Sequence, residues 1–169
     1  MKRIVLSILV DNTAGVLSRV AGLFSRRGYN IDSLTVGETQ DPTISRMTVL
    51  AHGDDQILEQ IRKQLNKLED VREIMELSPG ESVTRELILV KVAATDKDRQ
   101  SIISIADIFR AKIVDVAIDS LMIELTGNQN KISAFINLLE QYTIKELVRT
   151  GITGLSRGSG DIADFIDDY

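Results

Sequence analysis

Residues 11–31, DNTAGVLSRVAGLFSRRGYNI, carry the residue types and spacing best suited to binding a small molecule. Asn12 and Gly15 precede a predicted helix whose apolar face is formed by Val16, Leu17, Val20, Leu23 and Phe24. The first N–H groups of a helix lack partners and favour an anion. Gly15 has no Cβ, so a ligand could approach its backbone closely, and Asn12 offers an amide donor and a carbonyl acceptor. This end of the segment could therefore hold a carboxylate.

The other end of the segment carries Asn30 and Ile31 at the start of a predicted strand. The Asn30 side-chain oxygen could accept from an ammonium group, and Ile31 could supply an apolar wall. Together the two ends would suit an apolar amino acid. A structural explanation stays open: Asn before a helix is usually a cap, Gly after a helix is usually a stop, and Ile at a strand start is usually core.

The rest of the chain offers little recognisable chemistry. It has no cysteine and one histidine, His52, which excludes disulfides, thiolate nucleophiles and imidazole clusters. Neither a Walker spacing nor a G-x-G-x-x-G after a strand is present. The adjacent carboxylates Asp54 and Asp55, and Asp167 and Asp168, indicate a helix start and a solvated tail. We expect no catalytic residue and no metal ligand.

Composition limits the class of protein further. With 169 residues and an apolar fraction of 43%, the chain can build a core in one ordinary domain or two small ones. Its formal charge of −5 comes without a basic stripe, which argues against a nucleic-acid partner. The first apolar run stops at Asp11, short of a membrane span, and no small-residue cleavage pattern follows. We expect a cytoplasmic protein without a membrane partner.

Apolar periodicity predicts the same order of elements, β-α-β-β-α-β, in both halves. The first half has strands at 3–10, 30–39, 43–53 and 71–77, with helices after the first and third; the second has strands at 85–94, 111–118, 120–127 and 144–151, with helices at 96–110 and 130–142. Each half is a split β-α-β unit of the α+β class, an antiparallel sheet with two helices on one face. The segment after Gly151 has no clear periodicity, and we expect a loose or partner-dependent tail.

Several motifs resemble the small regulatory subunit of acetolactate synthase, also called acetohydroxyacid synthase. The resemblance covers nearly all of the chain up to Gly158, and its motifs are NTAGVLSRVAGLFSRRGYNIDSLTVG (12–37), SRMTV (45–49), RELILVKV (85–92), FRAKIVDV (109–116) and GLSRG (154–158). It implies an ACT domain over 1–77, a linker at 78–83, a smaller ferredoxin-like domain over 84–158 and an acidic tail over 159–169.

The resemblance also implies a function. Such a subunit has no active site and no cofactor of its own, and it activates a large catalytic subunit that carries thiamine diphosphate, Mg²⁺ and FAD. That large subunit joins pyruvate to a second 2-oxo acid with loss of CO₂. Small subunits of this family form a homodimer through their ACT domains, and an amino acid, usually valine, binds at the interface as a feedback inhibitor.

Site residues follow from the same resemblance. The loop carried here by Asn12, Ala14, Gly15, Val16 and Leu17 would hold the carboxylate and flank of the effector, and Asn30 and Ile31 of the neighbouring ACT domain would close over it. Many family members have Pro where this chain has Ala14, so a rigid turn residue is missing here.

Two other functions stay open on the sequence alone. One is a freestanding ACT-domain amino-acid sensor that regulates a different partner, against which the second-half motifs RELILVKV and GLSRG count. The other is a small enzyme on a ferredoxin-like sheet, against which the lack of a recognisable base and nucleophile counts.

Overall fold

A computed structural model describes residues 2–160 and 162 of the chain. The elements run in the order β1 (Lys2–Asp11), α1 (Val16–Arg26), β2 (Ile31–Glu38), β3 (Ile44–Gly53), α2 (Asp55–Asn66), β4 (Val71–Glu76), β5 (Ser82–Ala93), α3 (Asp96–Ile108), β6 (Lys112–Val116), β7 (Ser120–Gly127), α4 (Gln129–Leu139), β8 (Ile144–Arg149) and β9 (Thr153–Ser156). Of the described residues, 2–83 and those from 152 onward form one compact unit, and Thr84–Gly151 form a second.

The first unit contains a four-stranded antiparallel sheet in the order β2-β3-β1-β4. Alternate residues of β1, Ile4, Leu6, Ile8 and Val10, are buried together with residues of α1 and α2. Because side chains of a strand alternate between the two faces of its sheet, both helices must cover the same face. Strands β2 and β4 are the two edges of this sheet.

The second unit repeats this arrangement with the order β6-β7-β5-β8. Its core takes alternate residues of β5, Ile88, Val90 and Val92, together with buried residues of α3 and α4 such as Ile102 and Phe135. Each unit is thus an antiparallel sheet with two helices on one face, which confirms the predicted α+β class of two βαββαβ units.

The segment after Gly151 differs from the expected loose tail. Residues 153–156 form β9, and the Arg157 N–H donates to Glu81 O at 2.8 Å. Ile152 also bonds to β2, because its N–H donates to Ser33 Oγ at 3.4 Å and its carbonyl accepts from Thr35 Oγ1 at 3.5 Å. A four-residue strand is too short to show a periodicity in the sequence, which is why the prediction for these residues was wrong.

The compact units and the predicted domains have different bounds. The second unit ends at Gly151, whereas the predicted second domain ran from 84 to 158. Strand β5 already begins at Ser82, inside the predicted linker 78–83. Residues 161 and 163–169 of the predicted acidic tail, 159–169, lie outside the described residues.

One ion pair in the second unit has a buried partner. Glu86 is 4% exposed, and its two carboxylate oxygens accept from Arg149 Nε at 2.6 Å and from Arg149 Nη2 at 3.0 Å. This hydrogen bond raises the pKa of Arg149. Two parallel N–H···O bonds are the strong geometry for an arginine and a carboxylate, so the pair joins β8 firmly to β5.

Replacing Arg149 with alanine should lower the free energy of unfolding by about 2 kcal/mol, because the buried Glu86 carboxylate would lose its charged donor. Lys145→Ala is the matched control, since Lys145 lies on the same strand as Arg149 and its Nζ forms an exposed ion pair with Asp119 Oδ2 at 3.8 Å. Lys145→Ala should lower the free energy of unfolding by about 0.5 kcal/mol or less. Urea unfolding of the full chain, followed by circular dichroism, measures both, and equal losses would contradict the expectation.

Candidate functional site

The N-terminus of α1 presents backbone donors at an exposed loop. Gly15 is the N-cap with a φ of 87°, a left-handed conformation that favours glycine, and no side chain of the described residues caps the helix. In α2, by contrast, the Asp54 carboxylate accepts from the Ile57 N–H. The first turn of α1 also carries no acidic residue. Its free N–H groups and the positive end of the helix dipole can therefore receive a carboxylate.

Asn12 is held by the turn between β2 and β3. Its backbone N–H donates to Thr43 O at 2.8 Å, and its side-chain amide nitrogen donates to Pro42 O at 2.8 Å and to Glu38 Oε1 at 3.2 Å. Both amide hydrogens are thus used, and Asn12 Oδ1 has no donor among the described residues. The predicted role of Asn12 as a donor is therefore taken up inside the chain, and its side-chain oxygen is left as an acceptor.

The turn that holds Asn12 is itself stabilised by a carboxylate. Asp41 Oδ1 accepts from the Thr43 N–H at 2.9 Å and from Thr43 Oγ1 at 2.7 Å. These two hydrogen bonds lower the pKa of Asp41. The carboxylate form therefore supports the turn, and the Asn12 contact with it, at neutral pH.

A guanidinium lies beside the loop. Arg19 Nε donates to Asp70 Oδ2 at 2.5 Å, and this hydrogen bond raises the pKa of Arg19. Arg19 Nη1 lies 2.8 Å from the point where a Cβ on Gly15 would be. Sequence reasoning missed Arg19 because its position on the helix surface gave no sign of its distance from Gly15. Because Arg19 is paired with Asp70, it brings N–H groups close to the loop rather than a net positive charge.

The predicted site residues on this loop divide into two groups. Ala14 and Gly15 are exposed and Leu17 is 49% exposed, although its spacing placed it on the apolar face of α1. Val16 is 3% exposed and belongs to the core, so only its backbone faces the loop. Leu17 is thus the apolar side chain that a ligand at this loop could contact.

Asn30 and Ile31 lie at the other end of α1. Asn30 is exposed, and Ile31 is partly buried against the core of the first unit. The eleven residues of α1 span about 16 Å at 1.5 Å per residue, so one chain does not bring the two ends together. If both ends contact one small ligand, they must come from two chains.

Asn30 takes part in a contact that the sequence did not predict. Its side-chain nitrogen donates to Asp32 Oδ1 at 2.9 Å, and Asp32 Oδ2 lies 2.8 Å from His52 Nδ1. The register of β2 against β3 shifts between Ile31 and Ser33, so Asp32 is the extra residue of a β-bulge. Nothing in residue spacing signals a bulge, so the sequence alone did not predict the contact between Asp32 and His52.

A separate cavity of about 680 Å³ lies between α2 and β4. Its lining carries both signs of charge. Arg62 pairs with Glu76 at 3.6 Å and Lys2 with Asp55 at 3.7 Å, whereas Glu73 Oε2 is buried without a hydrogen-bond partner among the described residues. None of the predicted site residues lines it. Over residues 2–160 and 162, no cluster of three or more acidic or histidine side chains could hold a metal ion, and no helix is long and apolar enough to cross a membrane.

Comparison with known proteins decides the family. Residues 85–158 match the family described as the small subunit of acetolactate synthase, and residues 6–73 match the AHAS small subunit-like ACT domain. A probable acetolactate synthase small subunit of Methanothermobacter thermautotrophicus is 54% identical over 156 residues, or 92% of this chain and 93% of the relative. This chain belongs to the acetolactate synthase small subunit family.

Further relatives of the acetolactate synthase small subunit family agree. The acetolactate synthase small subunit of Haemophilus influenzae is 52% identical over 163 residues, which cover 96% of this chain and 99% of the relative. The crystal structure of the small subunit from Thermotoga maritima is 43% identical, with a TM-score of 0.87 over 95% of this chain and 100% of that chain. The resemblance predicted from the sequence is confirmed, and it places the chain in a family of branched-chain amino-acid biosynthesis.

Gly15→Ala should destabilise the first unit by about 1 kcal/mol, because an L side chain resists the left-handed backbone. Gly22→Ala is the control within the same helix: its added Cβ would meet only Arg26 Nη1, at 3.5 Å. Since alanine favours a helix interior, Gly22→Ala should raise the free energy of unfolding of the first unit by about 0.5 kcal/mol. Thermal unfolding compares the two, and a melting temperature that rises with both changes would contradict the strained conformation of Gly15.

Proposed function

We propose that this chain is the regulatory subunit of a cytoplasmic acetolactate synthase, and that it activates the large catalytic subunit and confers feedback inhibition by valine. The observation that carries the proposal is family membership across both units together with an uncapped, exposed helix N-terminus at Gly15. The chain has no cofactor of its own in this proposal. Thiamine diphosphate, Mg²⁺ and FAD belong to the large subunit.

Valine fits the site group by group. Its carboxylate would take the free N–H groups at the start of α1, beside the Arg19 guanidinium, and could approach closely because Gly15 lacks a Cβ. Its ammonium would donate to Oδ1 of the partner subunit's Asn30. Its isopropyl group would pack between the exposed Leu17 and the partner subunit's Ile31.

The edge strand β2 supplies a way to bring the two halves together in a homodimer of ACT domains. β2 has an open edge, and an edge strand readily pairs with another strand. If two copies of β2 pair antiparallel about a two-fold axis, the start of one strand lies beside the end of the other. The end of β2 is Glu38, which contacts Asn12. This pairing would therefore bring the partner subunit's Ile31 to the Asn12 loop.

Inhibition requires that valine distinguish two arrangements of the regulatory dimer. A ligand shifts a population only through a difference in its affinity for the two states. A site shared by two chains has this property, because any change in the position of one chain relative to the other changes the distance between Gly15 and the partner subunit's Asn30.

The test is an assay of acetolactate formation from pyruvate by the cognate large subunit, with and without this chain, over a valine titration. The proposal expects a higher rate with the chain present and a return toward the lower rate as valine is added. No change in rate and no valine sensitivity would overturn it and favour a freestanding ACT-domain sensor with a different partner.

Gly15→Asp should abolish valine inhibition and leave activation, because its carboxylate would stand where the effector carboxylate binds. Gly80→Asp is the matched control: Gly80 also has a positive φ, 85°, and a Cβ there meets nothing within 4 Å. The control should keep valine sensitivity. Valine inhibition retained by Gly15→Asp would contradict the site.

Asn30→Ala should weaken valine inhibition roughly ten-fold, since the ammonium loses a hydrogen-bond acceptor, and should leave activation of the large subunit intact. Asn66→Ala, at the exposed end of α2, is the same change outside the site. Inhibition curves for the two variants give the comparison. A parallel loss of activation and inhibition in Asn30→Ala would count against a specific role in effector binding.

A further inference from the structure

Asn30 does not stand alone at the start of β2. Its amide nitrogen donates to Asp32 Oδ1 at 2.9 Å, and the other Asp32 oxygen lies 2.8 Å from His52 Nδ1. Three side chains therefore form one chain of hydrogen bonds. The outermost of them, Asn30, is exposed, whereas the side chains of Asp32 and His52 are only 19% and 33% exposed.

The chemistry of the carboxylate determines how the amide of Asn30 is oriented. An ionised carboxylate only accepts hydrogen bonds, so the atom of Asn30 that faces Asp32 must be the NH₂ group. The Asn30 carbonyl oxygen must then point away from Asp32. This side of Asn30 is left as an acceptor, which is the group that an ammonium requires.

His52 holds Asp32 in place through a hydrogen bond whose direction is also set by the carboxylate. Because Asp32 Oδ2 can only accept, the proton between the two residues lies on His52 Nδ1. His52 belongs to the rigid strand β3, one residue before its end at Gly53. The β-bulge turns the Asp32 side chain toward this histidine, although the two residues are 20 positions apart.

We propose that Asp32 and His52 are positioning residues of the effector site: Asp32 holds the Asn30 amide with its oxygen toward the effector ammonium, and His52 holds Asp32. This inference rests on the proposed function, because it assumes that an amino acid binds beside Asn30. It adds a source of specificity. An effector with an ammonium is preferred over the same molecule without one because the Asn30 amide cannot turn without losing its bond to Asp32.

Asp32→Asn tests the role of the carboxylate with little change in shape. An asparagine at this position can donate as well as accept, so the Asn30 amide would find a partner in either orientation. The probes are L-valine and 3-methylbutanoate, which lacks the ammonium. Calorimetry on the full-length chain should show valine binding weakened roughly ten-fold in Asp32→Asn while 3-methylbutanoate binding is unchanged.

Two further variants separate positioning from charge and from folding. Asp55→Asn removes one carboxylate from an exposed pair with Lys2. It should leave the preference for L-valine over 3-methylbutanoate unchanged. His52→Phe should lower that preference in the same direction as Asp32→Asn, and His52→Gln, which keeps an N–H donor, should restore part of it. The melting temperature of each variant shows that it is folded.

The outcomes are distinct. A selective loss of valine affinity supports the positioning role. Unchanged binding of both probes, or an equal loss of both, in folded Asp32→Asn and His52→Phe would overturn it while leaving the proposed function in place. Failure of the unmodified chain to bind L-valine would overturn the proposed function, and this inference with it.

Discussion

Helix α1 is the constraint on which the arrangement of the candidate site depends. Its eleven residues separate the Gly15 loop from Asn30 by about 16 Å, a distance too long for one small amino acid to span. Each end is well suited to one part of an amino acid, yet one chain cannot apply both ends to the same molecule. In our proposal, effector binding therefore requires the association of two chains. This would explain how a chain without a recognisable catalytic group could control an enzyme.

Each half of the candidate site is built by residues away from it. Asn12 is held by the turn between β2 and β3, and this turn is stabilised by hydrogen bonds to Asp41. Asn30 is held by Asp32, which a β-bulge places against His52. In both cases a partner accepts from the amide nitrogen, and the amide oxygen is left as an acceptor. The first unit thus presents two oriented amides on a rigid sheet.

Much of this structure could be predicted from the sequence, because apolar periodicity reports which face of each helix and strand is buried. It located both βαββαβ units and the residues at the two ends of α1. It placed Leu17 in the apolar face because spacing does not show where that face meets solvent, and it missed β9 because four residues carry too little pattern. The bond between Asp32 and His52 depends on a bulge and on pairing between distant strands, neither of which residue types reveal. The expectation that two chains would share the candidate site came only from the family resemblance.

The most direct test of the account uses a mixed dimer in which one chain carries Gly15→Asp and the other carries Asn30→Ala, purified through two different affinity tags. If each site takes its loop from one chain and its Asn30 from the other, both defects fall in one site and the second site is intact. Calorimetry with L-valine should then find one site per dimer with the affinity of the unmodified protein. If each chain forms its own site, every site contains one defect, and the absence of any site with the unmodified affinity would contradict the account.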